Sequence, residues 1–331
     1  MTAGERWSAR ALAEAFHLAH AADFVVATEL LDGQERSPES LAAKAGVDPG
    51  LLEMLLELLA CRTDLVVRGS EGFTTGPGLG ALDEATIHQY IGAYGPNASS
   101  LPEILAAPGR GRDLVDRDRH ARAFAGAPGP AAVLLPRLLE QLELGRVLDL
   151  GCGTGELLVT MASRDTGFRG WGVDANPAMI RVAEERLGAS PAAGDQVRFY
   201  LGDVGQPAGC VPADVLGEVA TVVAASVVNE FFHPDEETAV RWLGELRSAL
   251  ADRVLVVVDY YGALGTRADP SPRTVLHDWI QLISTQGVPP PDLASWESLY
   301  VRSGCSLLHA VEDPDAGVFI HFVRLSPPEP P

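Results

Sequence analysis

Residues 147–156 read Val147-Leu148-Asp149-Leu150-Gly151-Cys152-Gly153-Thr154-Gly155-Glu156. An apolar run that stops in three alternating glycines and then turns helical fits few folds. Glycines at such a place let the backbone turn tightly and let a ligand approach where a Cβ would block it. From residue 130 onward, strand-like apolar runs alternate with helical stretches. The runs are Arg146–Leu150, Gly170–Val173, Val197–Leu201, Val219–Ala225, Arg253–Val258, Cys305–Val311 and Val318–Leu325. The first five, with helices between them, predict a mostly parallel sheet covered on both faces. The last two are separated only by a short turn, Asp313 to Gly317, which predicts an antiparallel hairpin at the sheet edge. The fold class expected is α/β, a Rossmann-like seven-stranded domain over residues 131–325, with a Pro-rich disordered tail at 326–331.

The N-terminal part has a different pattern. Residues 7–31 carry apolar residues at helical spacing and stop at Gly33. Ser37 with Pro38 starts a second helix, and Asp48-Pro49 a third that carries Leu51, Leu52, Leu55, Leu56 and Leu59. Leu65-Val66-Val67-Arg68, a glycine turn and Phe73-Thr74-Thr75 then read as a β-hairpin. Three helices followed by a hairpin predict a winged helix over residues 1–80. A groove-reading third helix would meet phosphates, yet this one bears Glu53 and Glu57 and no basic residue before Arg62. Its Leu- and Ala-rich helices suit a buried dimer face instead, so a dimerisation domain and a homodimer are expected. Residues 81–130 read as a helical linker and substrate cap with breaks at Gly95-Pro96 and Pro108-Gly109. Its Tyr90 and Tyr94 are candidate substrate-binding residues.

Charge narrows the partners. The net charge is −20, and Lys44 is the only lysine. Affinity for nucleic acid comes mostly from cations neutralising phosphates, so no nucleic acid is expected, and no anionic membrane surface either. No apolar run is long enough to span a bilayer, and Met1 to Arg10 lacks the apolar stretch of a signal peptide, which points to the cytoplasm. The four cysteines, Cys61, Cys152, Cys210 and Cys305, are scattered without a CxxC pair, so no zinc site is expected.

A dinucleotide loop, GxGxxG, would require glycine at Glu156. This chain has GxGxG instead, with Asp149 two residues ahead of Gly151. Asp174 ends the second run in Gly172-Val173-Asp174-Ala175-Asn176-Pro177, where a carboxylate can accept from two ribose hydroxyls. Asp203 follows the third run in Gly202-Asp203-Val204. Three acids, each at the carboxyl end of a successive strand, resemble the motifs of class I S-adenosylmethionine-dependent methyltransferases. The candidate cofactor set is Asp149, Gly151, Gly153, Gly155, Asp174, Ala175, Asp203, Val204 and Ser226. The resemblance implies S-adenosyl-L-methionine as cofactor, with Asp203 on the adenine amino group. Taken over nearly the whole chain, the pattern resembles the plant-type small-molecule O-methyltransferases and their bacterial natural-product relatives. In that family a linker-helix Phe packs on the cofactor, and Phe124 is similarly placed.

The acceptor side departs from that family. Its members carry Leu-His-Asp-Trp after the fourth strand, with His as general base. Here the stretch is Val228-Asn229-Glu230-Phe231, and Asn229 cannot accept a proton. General-base help contributes roughly 10²–10⁴ in rate. Candidate replacements are His277, in the region where relatives line the acceptor pocket, and His233. Glu230, Tyr261, Gln281 and Gln286 complete the candidate catalytic and substrate-binding groups. Some bacterial 2-oxo-acid C-methyltransferases also share this architecture, and one branch holds a metal with His at the Asn229 position. That ligand is missing, so no metal is expected. Asn229 tilts the expectation toward a carbon acceptor over oxygen, on a small molecule of secondary metabolism. The rival readings are a non-methylating enzyme that binds the same cofactor, such as a cyclase, and a ligand-sensing regulator.

Overall fold

The computed structural model describes residues 7–126, 130–190, 193–206, 209–264, 272–313 and 318–327. The expected turn at 313–317 and tail at 326–331 fall largely outside them. The chain opens with α1 (Ala9–Ala27), α2 (Pro38–Ala45), α3 (Pro49–Arg62), β1 (Val66–Arg68) and β2 (Phe73–Thr75). Next come α4 (Ala81–Thr86), a π-helical stretch Ile87–Ala93, α5 (Gly95–Ser99), α6 (Leu101–Ala106), a 3-10 stretch Pro108–Leu114, α7 (Arg117–Gly126) and α8 (Pro130–Gln141). From there strands and helices alternate: β3 (Val147–Leu150), α9 (Glu156–Arg164), β4 (Gly170–Asp174), α10 (Pro177–Gly188), β5 (Val197–Leu201), α11 (Ala213–Glu218) and β6 (Thr221–Ala225). A 3-10 turn Val228–Phe231, α12 (Glu236–Ala249), β7 (Val254–Asp259), α13 (Pro272–Ile283), α14 (Leu293–Arg302), β8 (Ser306–Asp313) and β9 (Val318–Arg324) complete it. The described residues form two compact units, one within Met1–Pro96 and Asp118–Ala127, the other within Asn97–Arg117 and Pro128–Pro331. The expected linker, 81–130, is shared between them.

The first unit is the winged helix that the sequence predicts. Asp48 caps α3, its Oδ1 accepting from Leu51 N at 2.9 Å, with Pro49 at the first helical position. Leu52, Leu56 and Leu59 turn one face of α3 into the core with Leu30, Leu41 and Phe73. Glu53 and Glu57 pair with Arg68 of β1, which offsets part of the helix's acidic charge. The first helix is shorter than the sequence suggests. It ends at Ala27 because Glu29 turns left-handed, at φ 49°, and Leu30 N reaches back to Val25 O at 3.0 Å. That six-to-one bond satisfies carbonyls the helix would otherwise leave open. Arg119 of α7 donates from Nε to His88 Nδ1 at 2.8 Å and from Nη2 to Asp23 of α1. Burial and the guanidinium hold His88 below the usual imidazole range.

The second unit is a seven-stranded sheet of order β5-β4-β3-β6-β7-β9-β8, parallel through β7 and antiparallel beyond it. Its central strands are buried on both faces, which explains their unbroken apolar runs. Leu148, Leu150, Val222, Ala224, Leu255 and Val257 face α12 and α14. Val147, Val223, Val256 and Val258 face α8 and α9. The hairpin at the edge is present, with β9 paired to β7 and β8 outermost. The chain moves outward from β3 to β5, then returns to β6 on the other side of β3. The strand order therefore reverses between β3 and β6, which opens a crevice above their carboxyl ends.

His321 of β9 is fully buried, stacked on Phe319 with ring centroids 3.8 Å apart. Tyr261 Oη donates to Glu312 at 2.6 Å and lies 3.3 Å from His321 Nε2, while Tyr300 Oη lies 3.0 Å from Nδ1. Tyr261 is thus the acceptor for Nε2–H, and Tyr300 the donor to Nδ1. Burial lowers the His321 pKa to about 4. A His whose folded pKa is depressed leaves the unfolded chain as the stronger proton binder between pH 6.5 and 4. Stability should fall on acidification through that window by on the order of 2 kcal/mol more than in His321→Gln. Urea melts of both proteins at pH 7 and 4.5 check this; parallel losses would refute it.

Candidate functional site

The site grows from the loop between β3 and α9. Gly151, Gly153 and Gly155 all have positive φ, at 66°, 52° and 71°. Their roles differ. A Cβ at Gly151 would stand 2.5 Å from Val227 Cγ2, and one at Gly155 would stand 2.5 Å from Phe199 Cζ and 2.9 Å from Ala183. These two glycines let the loop sink against the β6 turn and α10. A Cβ at Gly153 would meet nothing nearer than Met179 Sδ at 4.0 Å, so this glycine borders open space. Its N–H is turned to Asp174, donating to Oδ2 at 3.0 Å.

Asp174 ends β4 and binds on both sides. Oδ1 accepts from Asn176 N at 2.8 Å, and Asn176 in turn caps α10 through Ala178 N at 2.9 Å. The Asn176 amide also donates to Arg117 O at 3.0 Å, which draws residue 117 to this edge of the sheet. Asp149 is buried two residues before the loop. Burial, and then the neighbouring Asp174 carboxylate, push its pKa up to about 8. Burial also raises Asp174, against its two backbone N–H donors and the Arg117 charge. Asp203 follows β5 as an exposed residue, its Oδ1 accepting from Gly205 N at 2.8 Å. Val204 O accepts from Trp242 Nε1 at 2.7 Å, which anchors that turn on α12.

Across the crevice, Ser226 closes β6 in a left-handed conformation, φ 55°. Such a geometry is strained for a residue with a side chain. It turns the chain into the 3-10 segment that carries Asn229 and Glu230. Asn229 is 2% exposed, its N–H donates to Asp259 Oδ2 at 3.0 Å, and its Oδ1 is buried without a partner. Burial raises the Glu230 carboxyl, with Arg112 and Arg117 opposing and Asp174 and Asp203 adding to the rise. Asp259 ends β7, also bonded to Tyr260 N at 3.0 Å, and burial pushes its pKa up to about 7. The Tyr260 ring packs edge-on to His277, centroids 4.5 Å apart. Asp278 is fully buried, with Oδ2 accepting from Ala263 N and Leu264 N at 2.6 Å each.

The second unit therefore brings the glycine loop, Asp149, Asp174, Ala175, Asp203, Val204, Ser226, Asn229 and Glu230 to one edge. His233, His277, Gln281 and Gln286 lie on the segments that follow β6 and β7. Tyr261 points instead to Glu312 and His321 among the antiparallel strands. Tyr90, Tyr94 and Phe124 belong to the first unit, where Tyr94 meets His120 edge-on and His120 meets Phe124 at 5.0 Å. Sequence reasoning missed Asp259, Asn176, Arg112 and Arg117. Asp259 had a legible signal, because it ends a strand run as Asp174 does. The arginines had none, since only the path of residues 97–117 puts them beside Glu230.

A crevice at a topological switch point, floored by a GxGxG loop and ringed by acids, defines a class I methyltransferase fold. A family profile described as a methyltransferase domain matches residues 119–310. The chain belongs to that family, whose cofactor is S-adenosylmethionine. Among curated proteins it is similar to the magnesium-protoporphyrin O-methyltransferase of Rhodobacter capsulatus, 33% identical over 153 residues. That match covers 44% of this chain and 63% of the relative's length. Among solved structures it resembles the mitomycin 7-O-methyltransferase, with TM-score 0.72, 18% identity and 95% of each chain covered. It also resembles an O-methyltransferase from neocarzinostatin biosynthesis, solved with S-adenosylmethionine and 2-hydroxy-5-methyl naphthoic acid. There the TM-score is 0.65 and the identity 18%, over 97% of this chain and 99% of that one.

The residues present fit this cofactor. A Cβ at Gly153 would meet only Met179 Sδ at 4.0 Å, so the loop leaves room for a ligand to approach its backbone, and the acids Asp149 and Asp174 suit a sulfonium and an ammonium. Gly153→Ala should cost about 1 kcal/mol of stability, from its left-handed backbone, yet weaken uptake of S-adenosylhomocysteine by roughly tenfold or more. Gly155→Ala should cost about 2 kcal/mol more than that, because its Cβ overpacks against Phe199. Urea melts and calorimetry separate the two, and a reversed order would contradict the division of labour.

Proposed function

We propose that this protein transfers a methyl group from S-adenosylmethionine to an oxygen atom of a small natural-product molecule. The observation that carries it is the convergence of Asp149, Asp174 and Asp203 with the open side of Gly153 at the switch point. The carbon preference drawn from Asn229 gives way to oxygen, because relatives in sequence and in fold are O-methyltransferases. When bound, the cofactor supplies an electrophilic methyl on a cationic sulfur. Asp174 takes the ribose hydroxyls and Asp203 the adenine amino group, while Asp149 offsets positive charge near the loop. The acceptor lies on the β6 and β7 side, opposite the glycine loop. Holding it in line accounts for roughly 7–11 kcal/mol of the barrier.

The acceptor's proton needs a destination. His277, half-buried on Tyr260, is our choice of base, with His233 second. His277→Ala should lower turnover of a phenolic acceptor by roughly 10²-fold or more with S-adenosylhomocysteine affinity unchanged. Unchanged turnover in both His277→Ala and His233→Ala would remove both assignments. Asp174→Asn should weaken cofactor binding by roughly tenfold to a hundredfold, since it loses charge-assisted hydrogen bonds. Methyl-labelled cofactor incubated with a panel of phenols tests the reaction itself; no labelled product with any of them would defeat the reading.

The first unit we assign to dimerisation. Leu12 and Phe16 on α1, with Leu51, Met54 and Leu58 on α3, are between 43% and 70% exposed. Large apolar side chains so grouped mark a protein interface. Introducing Leu51→Glu with Met54→Glu should convert the dimer to a monomer in sedimentation at micromolar concentration. A wild-type protein that sediments as a monomer would refute the assignment.

A further inference from the structure

Apart from the crevice of the second unit, a cavity of about 490 Å³ lies within the first. Val25, Val26, Leu31 and Leu79 wall it, and His88, 9% exposed, stands in its lining. His88 belongs to the π-helical stretch Ile87–Ala93, where Tyr94 N reaches Gln89 O at 3.3 Å, five residues back. Such wide turns are rare and frequently mark functional sites. Gly92 of the same stretch makes room for Arg119, because a Cβ there would stand 2.5 Å from the guanidinium. Arg119 is held by Asp23 and donates from Nε to His88 Nδ1 at 2.8 Å. Burial, and then the neighbouring guanidiniums, lower the His88 pKa, so the ring is neutral at pH 7. A guanidinium only donates, so Nδ1 is an acceptor and the imidazole proton sits on Nε2. That Nε2–H makes no hydrogen bond with any described residue. Buried donors are nearly always satisfied, so this one is aimed at what the cavity takes up.

The exposed rim of the cavity carries three charges. They are Arg122, one turn after Arg119 on α7, with Glu29 and Glu84. None of the three forms an ion pair with another described residue. A simple carboxylic acid would suit His88 and Arg122 but face two carboxylates. A simple amine would suit the carboxylates and meet Arg122. A molecule with both charges and an apolar body answers every group. We infer that this cavity binds a free α-amino acid with an apolar side chain. Its carboxylate accepts from His88 Nε2 and pairs with Arg122, its ammonium faces Glu29 and Glu84, and its side chain lies against Val25, Val26, Leu31 and Leu79. The rim charges are solvated and each contributes little alone, so the buried His88 donor fixes the orientation.

The test is calorimetry on full-length protein saturated with S-adenosylhomocysteine, whose own amino-acid group then occupies the crevice. The probes are L-leucine, L-phenylalanine and L-tryptophan, each with the amine and the carboxylic acid that lack one of its charges. At least one amino acid should bind once per chain, roughly tenfold tighter than either truncated analogue. His88→Phe keeps an aromatic ring and removes the donor, and should lower that affinity roughly tenfold or more. Arg122→Gln, at an exposed position, should lower it severalfold and decides the matter alone if His88→Phe fails to fold. The inference is overturned if none of the three amino acids binds, if amino acid and analogues bind equally, or if the variants leave the affinity unchanged. Binding seen only without S-adenosylhomocysteine overturns it too, because the amino acid would then be in the crevice.

Discussion

One carboxylate, that of Asp174, joins the first two crossovers of the sheet. It takes the Gly153 N–H on one oxygen and the Asn176 N–H on the other. The glycine loop and the start of α10 are thereby set at one spacing. Through Asn176 the same edge reaches the backbone of Arg117. Everything placed around the crevice, from the open side of Gly153 to the flank of Glu230, depends on this short chain of bonds.

The cost of that arrangement is electrostatic. Burial raises the carboxyl pKa of both Asp149 and Asp174, and the Asp174 carboxylate raises that of Asp149 further. Asp259 and Glu230 repeat the theme on the far side of the crevice. Buried acids of like charge oppose folding as pH rises above the ordinary carboxylate range, because the folded chain binds protons more tightly there. A cationic ligand reverses the balance by favouring the ionised forms. A pocket that is unfavourable by itself is thus matched to a positively charged cofactor.

Much of the architecture was legible in the sequence because hydrophobic burial leaves periodic traces. The seven strands fall where the apolar runs stand, and the winged helix follows its caps and turn glycines. The end of α1 was misjudged because Glu29 adopts a left-handed conformation that glycine would have advertised. At the site, the acids after β4 and β5 were readable, since a motif fixes where strands stop. Asp259 ends β7 as Asp174 ends β4, but no glycine motif follows it to mark it as part of a site. The sequence offers Tyr261 as a candidate catalytic group, yet its hydroxyl is bonded to Glu312 and lies beside His321.

The sequence by itself determined the layered sheet, the glycine loop and the acids that end its strands. These depend on local rules: alternation, glycine's freedom and the direction of each strand. Only the tertiary structure decided which glycine of the loop has room at its Cβ position, which arginines stand beside Glu230, and that Asn229 and Gln281 keep unsatisfied oxygens. Those facts depend on distances between segments far apart in the chain, and packing alone sets such distances.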